Sequence, residues 1–442
     1  MNKISFALIF WVVLSTFIVN AQTKITPEII SGPMQGHTTH TDMYLWVLVH
    51  NAQTIIISLH NQERSATNQS QTLTVDTAIV RFGYYPAHFH FSGLLPDTRY
   101  EYFLELNGKE IKTGYVHTLK PPGTSDFSFV AGSCALLPES TLEDAQPGVT
   151  ATTYLSAAKS GADFMIWLGD NLYFRNGDWK SYDAMFARYV RMRSLPPLNH
   201  LLETMPQYAI WDDHDFGYDN ANSTIPSKDW ALQLFKQFWA NPAYGKPDLP
   251  GVFYSFQYQD AEFFLLDDRY YKRLNDQQSA GTLLGNQQWE WLTKQLQQST
   301  ATFKFIICGV QMLIENSSAE GLKEFPNERE QFLDMLQQNK IKGVILISGD
   351  RHFAEQYRLP RPTAYDLYEV TTSPLSSLTT GILLSTSKST QLAVQKTRLK
   401  KANFAKFAIS GTAEGRQCTV FLCNKRGKTV WQKTWNLSDL GY

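Results

Sequence analysis

The sequence predicts an α/β domain preceded by a smaller all-β module. Three observations predict it. Residues 25–118 carry short strand-like runs between polar turns and show no long helical period. From residue 127 onward, apolar runs alternate with amphipathic stretches, the grammar of strands alternating with helices. Several of those later apolar runs end in aspartate.

Taken in order, the chain opens with a positive MNK and an almost continuously apolar stretch from Ile4 to Val19. This reads as a secretory signal over residues 1–21, cut after Ala21, and places the mature protein in the periplasm or outside the cell. The apolar run is shorter than a usual membrane span, and no second stretch is long and apolar enough to be one. Residues 22–120 form the expected β-sandwich, of immunoglobulin or fibronectin III type, with MYLWVLVH, TIIISLH and YEYFLEL among its strands. The Pro- and Gly-rich LKPPGTSDFSF at 119–129 reads as a hinge.

Residues 121–442 then form the α/β domain. Its expected strands are DFSFVAGSC, DFMIWLGD, QYAIWDD, EFFLLDD, FKFIICG and KGVILISGD. Its expected helices lie around 150–160, 179–193, 227–240, 286–299 and 328–340. TVFLCNKRGKTVW closes the chain as a hairpin, and the Ser/Thr-rich 373–391 reads as a loop at a pocket rim.

Composition narrows the function. With 40 Lys and Arg against 41 Asp and Glu, the net charge of -1 gives no global pull toward nucleic acid or an anionic membrane. The four cysteines, Cys134, Cys308, Cys418 and Cys423, are too few for a disulfide scaffold, and few or no disulfides are expected. Oligomeric state is not readable from the sequence.

The strand ends carry the chemistry. IWLGD ends at Asp170; AIWDDHD holds Asp212, Asp213, His214 and Asp215; FFLLDDR holds Asp267 and Asp268; ILISGDRH holds Asp350 and His352. One isolated strand-end Asp is ordinarily a helix cap. Ligands of α/β sheets sit at the carboxyl ends of the strands. Several carboxylates gathered there repel one another unless cations neutralise them, and carboxylate and imidazole are ordinary metal ligands. Four such ends therefore point to a metal site. Ser133 is not in a GxSxG nucleophile elbow, which argues against serine hydrolysis.

GSCA at 132–135, GDNLY at 169–173, WDDHDFGYDN at 211–220 and SGDRH at 348–352 resemble, in order, the motifs of the PhoD-like alkaline phosphatases, within the calcineurin-like metallophosphoesterases. The resemblance covers essentially the mature chain. It implies two central β-sheets flanked by helices, with metals at the strand ends as in purple acid phosphatases. It implies ferric iron (Fe3+) and calcium (Ca2+), with Cys134 and Tyr173 on the iron and Asp170 between metals. Asp212 or Asp213, Asn220 and Asp350 are then ligands of the further metals. His352 is the stronger catalytic candidate and His214 its support. A phosphate-facing arginine is expected among Arg175, Arg269 and Arg351. Strand alternation turns Arg351 away; Asp267 and Asp268 are either ligands or salt-bridge partners of Arg269; and Arg175, the catalytic candidate among the three, stands where the family often has an acidic residue. The implied activity is hydrolysis of a small phosphate monoester or diester by metal-activated water. A phospholipase-D-like phosphodiesterase on the same site is one alternative. A non-catalytic surface- or carbohydrate-binding protein, using aromatics such as Trp179, is the other.

Overall fold

Strand periodicity of two builds the first part of the chain. In this computed structural model, residues 26–136, 147–276, 280–315, 319–377 and 391–442 are described. The export signal read over residues 1–21 lies outside them, as does most of the 373–391 loop. Strands β1 (Glu28–Thr38), β2 (Met43–His50) and β5 (Tyr84–Phe91) form one sheet, in the order β1-β2-β5. The other sheet takes β3 (Thr54–His60), β4 (Gln69–Thr74), β6 (Arg99–Leu106) and β7 (Lys109–His117), in the order β4-β3-β6-β7. Met43, Leu45, Val47 and Val49 of β2 share one apolar cluster with Ile55, Ile57, Leu59, Tyr102 and Leu104.

The opposite face of β2 does not meet water. Trp46 and Leu48 are fully buried in the larger apolar cluster built mainly by residues after 127, which explains why MYLWVLVH is apolar at nearly every position. Trp46 Nε1 donates to Gln237 O at 2.7 Å, and the His37 N–H donates to Ala240 O at 2.7 Å. A Cβ on Gly36 would collide with the Ala240 carbonyl, so only glycine permits this approach. The Arg193 guanidinium lies 5.2 Å from the Trp46 ring centroid and 4.2 Å from that of Trp239. The 119–129 segment therefore joins two parts of the chain that each hold an apolar cluster, with Met34, Trp46 and Leu48 of the first reaching into the larger cluster of the second.

That junction carries a titratable group. His37 packs against Tyr44 and Tyr208, with ring centroids 5.9 Å away in each case. Burial drives its pKa from 6.5 down to about 4, against the pull of Asp42. The folded state thus prefers neutral His37. Its contribution is intact above pH 6.5 and is lost as pH falls toward 4, by up to about 3 kcal/mol. Urea unfolding of a His37→Gln variant should show a shallower loss of stability between pH 7 and 4.5 than the parent.

The chain continues with β8 (Phe127–Gly132), α1 (Pro147–Ala158), β9 (Phe164–Leu168), α2 (Tyr182–Arg193), α3 (Pro196–Leu202), β10 (Gln207–Ile210), α4 (Asp213–Phe216) and α5 (Lys228–Phe238). After the short ladder of β11 (Gly245–Lys246) with β12 (Leu249–Pro250) come β13 (Tyr254–Tyr258), β14 (Ala261–Leu265), α6 (Asn286–Gln298), β15 (Phe303–Cys308), α7 (Pro326–Gln338) and β16 (Val344–Ser348). The chain ends with β17 (Glu355–Leu359), β18 (Leu367–Thr371), β19 (Asn403–Ser410), β20 (Gln417–Asn424) and β21 (Thr429–Asn436). Two six-stranded mixed sheets result, β10-β9-β8-β19-β20-β21 and β13-β14-β15-β16-β18-β17. The expected C-terminal hairpin is β20–β21, and it joins the first sheet through β19, which runs antiparallel to β8.

Aromatic side chains fill the space between the sheets. Phe129 of β8 meets Phe263 of β14 and Phe305 of β15 edge-on, each at 5.1 Å. FMIWL, FKFIIC and VILIS are buried at every position, as strands covered on both faces must be. Strands β8, β9 and β10 are mutually parallel, as are β14, β15, β16 and β18. Their carboxyl ends bring the Asp-bearing turns together. The four cysteines are buried and free. Among the described residues no helix is long and apolar enough to cross a membrane.

Candidate metal centre

The turns after β8, β9, β10 and β16 supply the site. Cys134 lies just past β8, and Asp170 just past β9. The two turns are tied by the Cys134 N–H donating to Gly169 O at 3.3 Å and the Ala135 N–H to Asp170 O at 2.8 Å. Gly169, at φ 94°, lets the β9 turn press on the β10 turn. A Cβ there would stand 2.6 Å from the Asp212 Cβ.

Five non-glycine residues of this region have left-handed backbones: Cys134 (φ 59°), Asp170 (52°), Asn220 (58°), Asp350 (63°) and His352 (53°). Each conformation costs roughly 1–3 kcal/mol and persists only where surrounding structure enforces it, a pattern that gathers at ligand sites.

The side chains converge on Asp170. Its Oδ2 accepts from the Tyr173 hydroxyl at 2.9 Å and from the Cys134 thiol at 3.4 Å. Its Oδ1 accepts the His214 backbone N–H at 3.3 Å. The Tyr173 hydroxyl lies 3.2 Å from His352 Nε2, and its ring is tilted against that of His214 at 4.2 Å. The Asn220 backbone N–H donates to Asp213 Oδ2 at 2.5 Å. Two groups of ligand-type atoms result, Cys134–Asp170–His352 and Asp170–Asp213–His214. Within each, the atoms lie within 4.8 Å of one another, and Asp170 belongs to both. Asp170, Asp213, His214, Asn220, Asp350 and His352 all border one cavity of about 510 Å³.

Electrostatics fits this donor set to cations. Burial, then Cys134 and Asp213, push the Asp170 carboxyl well above its ordinary range. Burial pushes the Cys134 thiol up to about 12 despite its hydrogen bond from Ser373, whose Oγ lies 3.1 Å away. Burial and Asp170 likewise raise the Tyr173 phenol. Asp213, though buried, is held below its ordinary value by His214 and Arg269. Without a cation Asp170, Cys134 and Tyr173 keep protons that a metal would displace.

The PhoD-like phosphatase family matches residues 129–417. The chain belongs to the PhoD-like phosphatase family. Alkaline phosphatase D of Bacillus subtilis (strain 168) is 23% identical over 320 residues, covering 60% of this chain and 53% of that protein. The chain thus spans about half the length of that relative. A solved structure of PhoD superposes with a TM-score of 0.74 at 16% identity, covering 92% of this chain and 90% of the other. Purple acid phosphatase PPD1 from yellow lupin (Lupinus luteus) seeds gives 0.64 at 13%, covering 92% and 74%. At these identities the two structures establish the fold, an α/β metallophosphoesterase-like pair of mixed sheets flanked by helices.

Against this PhoD-like frame, the expected site residues separate. Cys134, Asp170, Tyr173, Asp213, His214 and His352 form the cluster, and Asn220 and Asp350 border its cavity. Asp212 turns away. It caps α4 and accepts Arg269 Nε at 2.7 Å, with both side chains fully buried. Arg175 does not border the cavity. Its guanidinium lies 5.8 Å from the Tyr173 ring centroid, and its backbone N–H donates to Asp178 at 3.0 Å. Asp267 is a structural acceptor for Trp211 Nε1 and the Val252, Arg269 and Tyr270 N–H groups. Ser133 is buried and donates to Thr372 O at 3.1 Å.

Arg351 was expected to point away but borders the cavity. The alternation argument fails because β16 ends at Ser348, and the left-handed Asp350 and His352 break the extended period. Lys272 and Glu320, which also border it, carry no motif in the sequence. The one available signal for Lys272 is its place four residues after Asp268 at a strand end.

Proposed function

We propose that this PhoD-like chain is an exported, metal-dependent phosphoesterase acting on a small phosphate monoester or diester. The observation that carries the reading is Asp170, common to two groups of ligand-type atoms at the floor of one cavity. The soft thiol of Cys134 with the Tyr173 phenol suits ferric iron. The oxygen ligands Asp213, Asn220 and Asp350 suit calcium. Such cations supply Lewis-acid charge and activate water toward phosphorus.

The chain's own residues do the remaining work. Asp170 spans the two groups. His352, with Nε2 bordering the Tyr173 hydroxyl, holds a proton for the leaving oxygen. His214 orients Tyr173 through its ring and Asp170 through its N–H. Arg175 acts on the Tyr173 ring rather than on phosphate. Residues 121–442 form the catalytic domain. The opposed β1-β2-β5 and β4-β3-β6-β7 sheets support an immunoglobulin- or fibronectin-type sandwich for residues 22–120.

Elemental analysis with a panel of phosphate mono- and diesters tests the reading. Iron and calcium should copurify, and chelation should abolish hydrolysis. Turnover that survives complete metal removal would overturn it. Cys134→Ser should shift or remove any visible absorption band of the iron form. An unchanged spectrum counts against thiolate ligation.

A further inference from the structure

The same cavity has a cationic element that the metal group does not use. Lys272 borders it, yet its side chain is only 1% exposed, and its ammonium pairs with Glu320. Glu320 also accepts Arg269 Nη2 at 2.6 Å, and Arg269 in turn pairs with Asp212. The ammonium is thus fixed at the end of a buried chain of alternating charge, Asp212–Arg269–Glu320–Lys272. Burying such charges costs several kcal/mol per ion before pairing. For Lys272 the network ends at a cavity wall rather than in the core.

Arg351 supplies a second, independent observation. Its side chain is 8% exposed and borders the same cavity. Its Nε is buried without a hydrogen-bond partner, and the nearest Asp350 oxygen is 4.0 Å from Nη1. A buried donor left unsatisfied costs roughly 1–3 kcal/mol, which a small shift of the guanidinium toward an acceptor in the cavity it borders would recover. Ammonium and guanidinium together suit a phosphate oxyanion, the first as a point charge and the second as a planar fork.

We propose that Lys272 and Arg351 bind the non-bridging oxygens of the substrate phosphoryl group and of product phosphate, with Glu320 and Arg269 positioning Lys272. This rests on the phosphoesterase reading above. The pair takes over the role expected of Arg175. Its fixed positive charge offsets the negative charge of the non-bridging oxygens, and neither group transfers a proton in the step.

The test uses the metal-loaded protein and inorganic phosphate as probe, by competitive inhibition and by calorimetry. Lys272→Met and Arg351→Met should each raise the phosphate Ki and the ester KM at least tenfold, with iron and calcium content unchanged. Lys272→Arg should recover most of the affinity, which a purely structural role would not require. Phosphate Ki and KM within about threefold of the parent, at parental metal content, overturn the proposal, as does a loss confined to kcat. Should Lys272→Met misfold, Lys272→Met/Glu320→Gln restores the net charge of the buried network and meets the same criteria. A parent protein without metal or hydrolysis would sink the phosphoesterase reading itself. Failure of the clamp shows only in a parent that has both.

Discussion

Replacing Asp170 with Asn should strip the protein of its metal and lower kcat/KM by at least about 1000-fold, a loss of about 4 kcal/mol in transition-state stabilisation. The size follows from position. Asp170 is common to both groups of ligand-type atoms, so one substitution weakens two sites at once. The fold should survive. Asn keeps an oxygen to accept the His214 N–H, and the change removes a carboxyl that burial, Cys134 and Asp213 already disfavour as an anion. The metal-free variant should therefore unfold at or above the temperature of the metal-free parent, while the parent alone gains stability on metal addition. Thermal unfolding with and without metal, beside elemental analysis and ester turnover, checks all three expectations. Parental metal content and rate in this variant would remove Asp170 from the shared position.

Much of this architecture was readable before any coordinates. FMIWL and VILIS have no polar face, so they had to be covered on both sides, and acids at their ends had to meet where parallel strands end. What escaped the sequence depends on contacts between distant segments. The composition of residues 119–129 marks a boundary, but nothing there says that Trp46 crosses it into the larger core. Arg351 was misdirected because the strand period was carried past Ser348, where two left-handed residues end it. Lys272 gains its meaning from Glu320, and Arg269 meets Glu320 across 51 residues of chain. No local pattern encodes such a pairing. α3 was missed although Pro196 and Pro197 suit a helix start, because its few apolar positions give too short a period to recognise.

Asp212→Asn and Asp213→Asn should fail in opposite ways, although the two residues are neighbours of one type. The motif WDDHD offers both as ligands, and helix geometry separates them. Asp212 is the N-cap of α4, with an extended backbone at φ -138° and ψ -165°. That directs its carboxylate to Arg269, whose guanidinium is fully buried and, despite that burial, is held charged by Asp212 and Asp268. Removing the Asp212 charge takes one anion from a buried cation that keeps Asp268 and Glu320, at a cost of about 1–3 kcal/mol. Asp213 is the first residue inside the helix, and its carboxylate borders the cavity beside Asp170 and His214. Asp213→Asn should therefore cost only about 1 kcal/mol in the metal-free state, because Asn keeps most of the shape and an oxygen for the Asn220 N–H and gives up only the charge that His214 and Arg269 favour. It should instead lower calcium content and kcat/KM by at least about 100-fold. Denaturant unfolding of the metal-free proteins, set beside metal content, separates the two outcomes. A metal-depleted but fully stable Asp212→Asn would reverse the assignment and move the ligand one residue toward the strand.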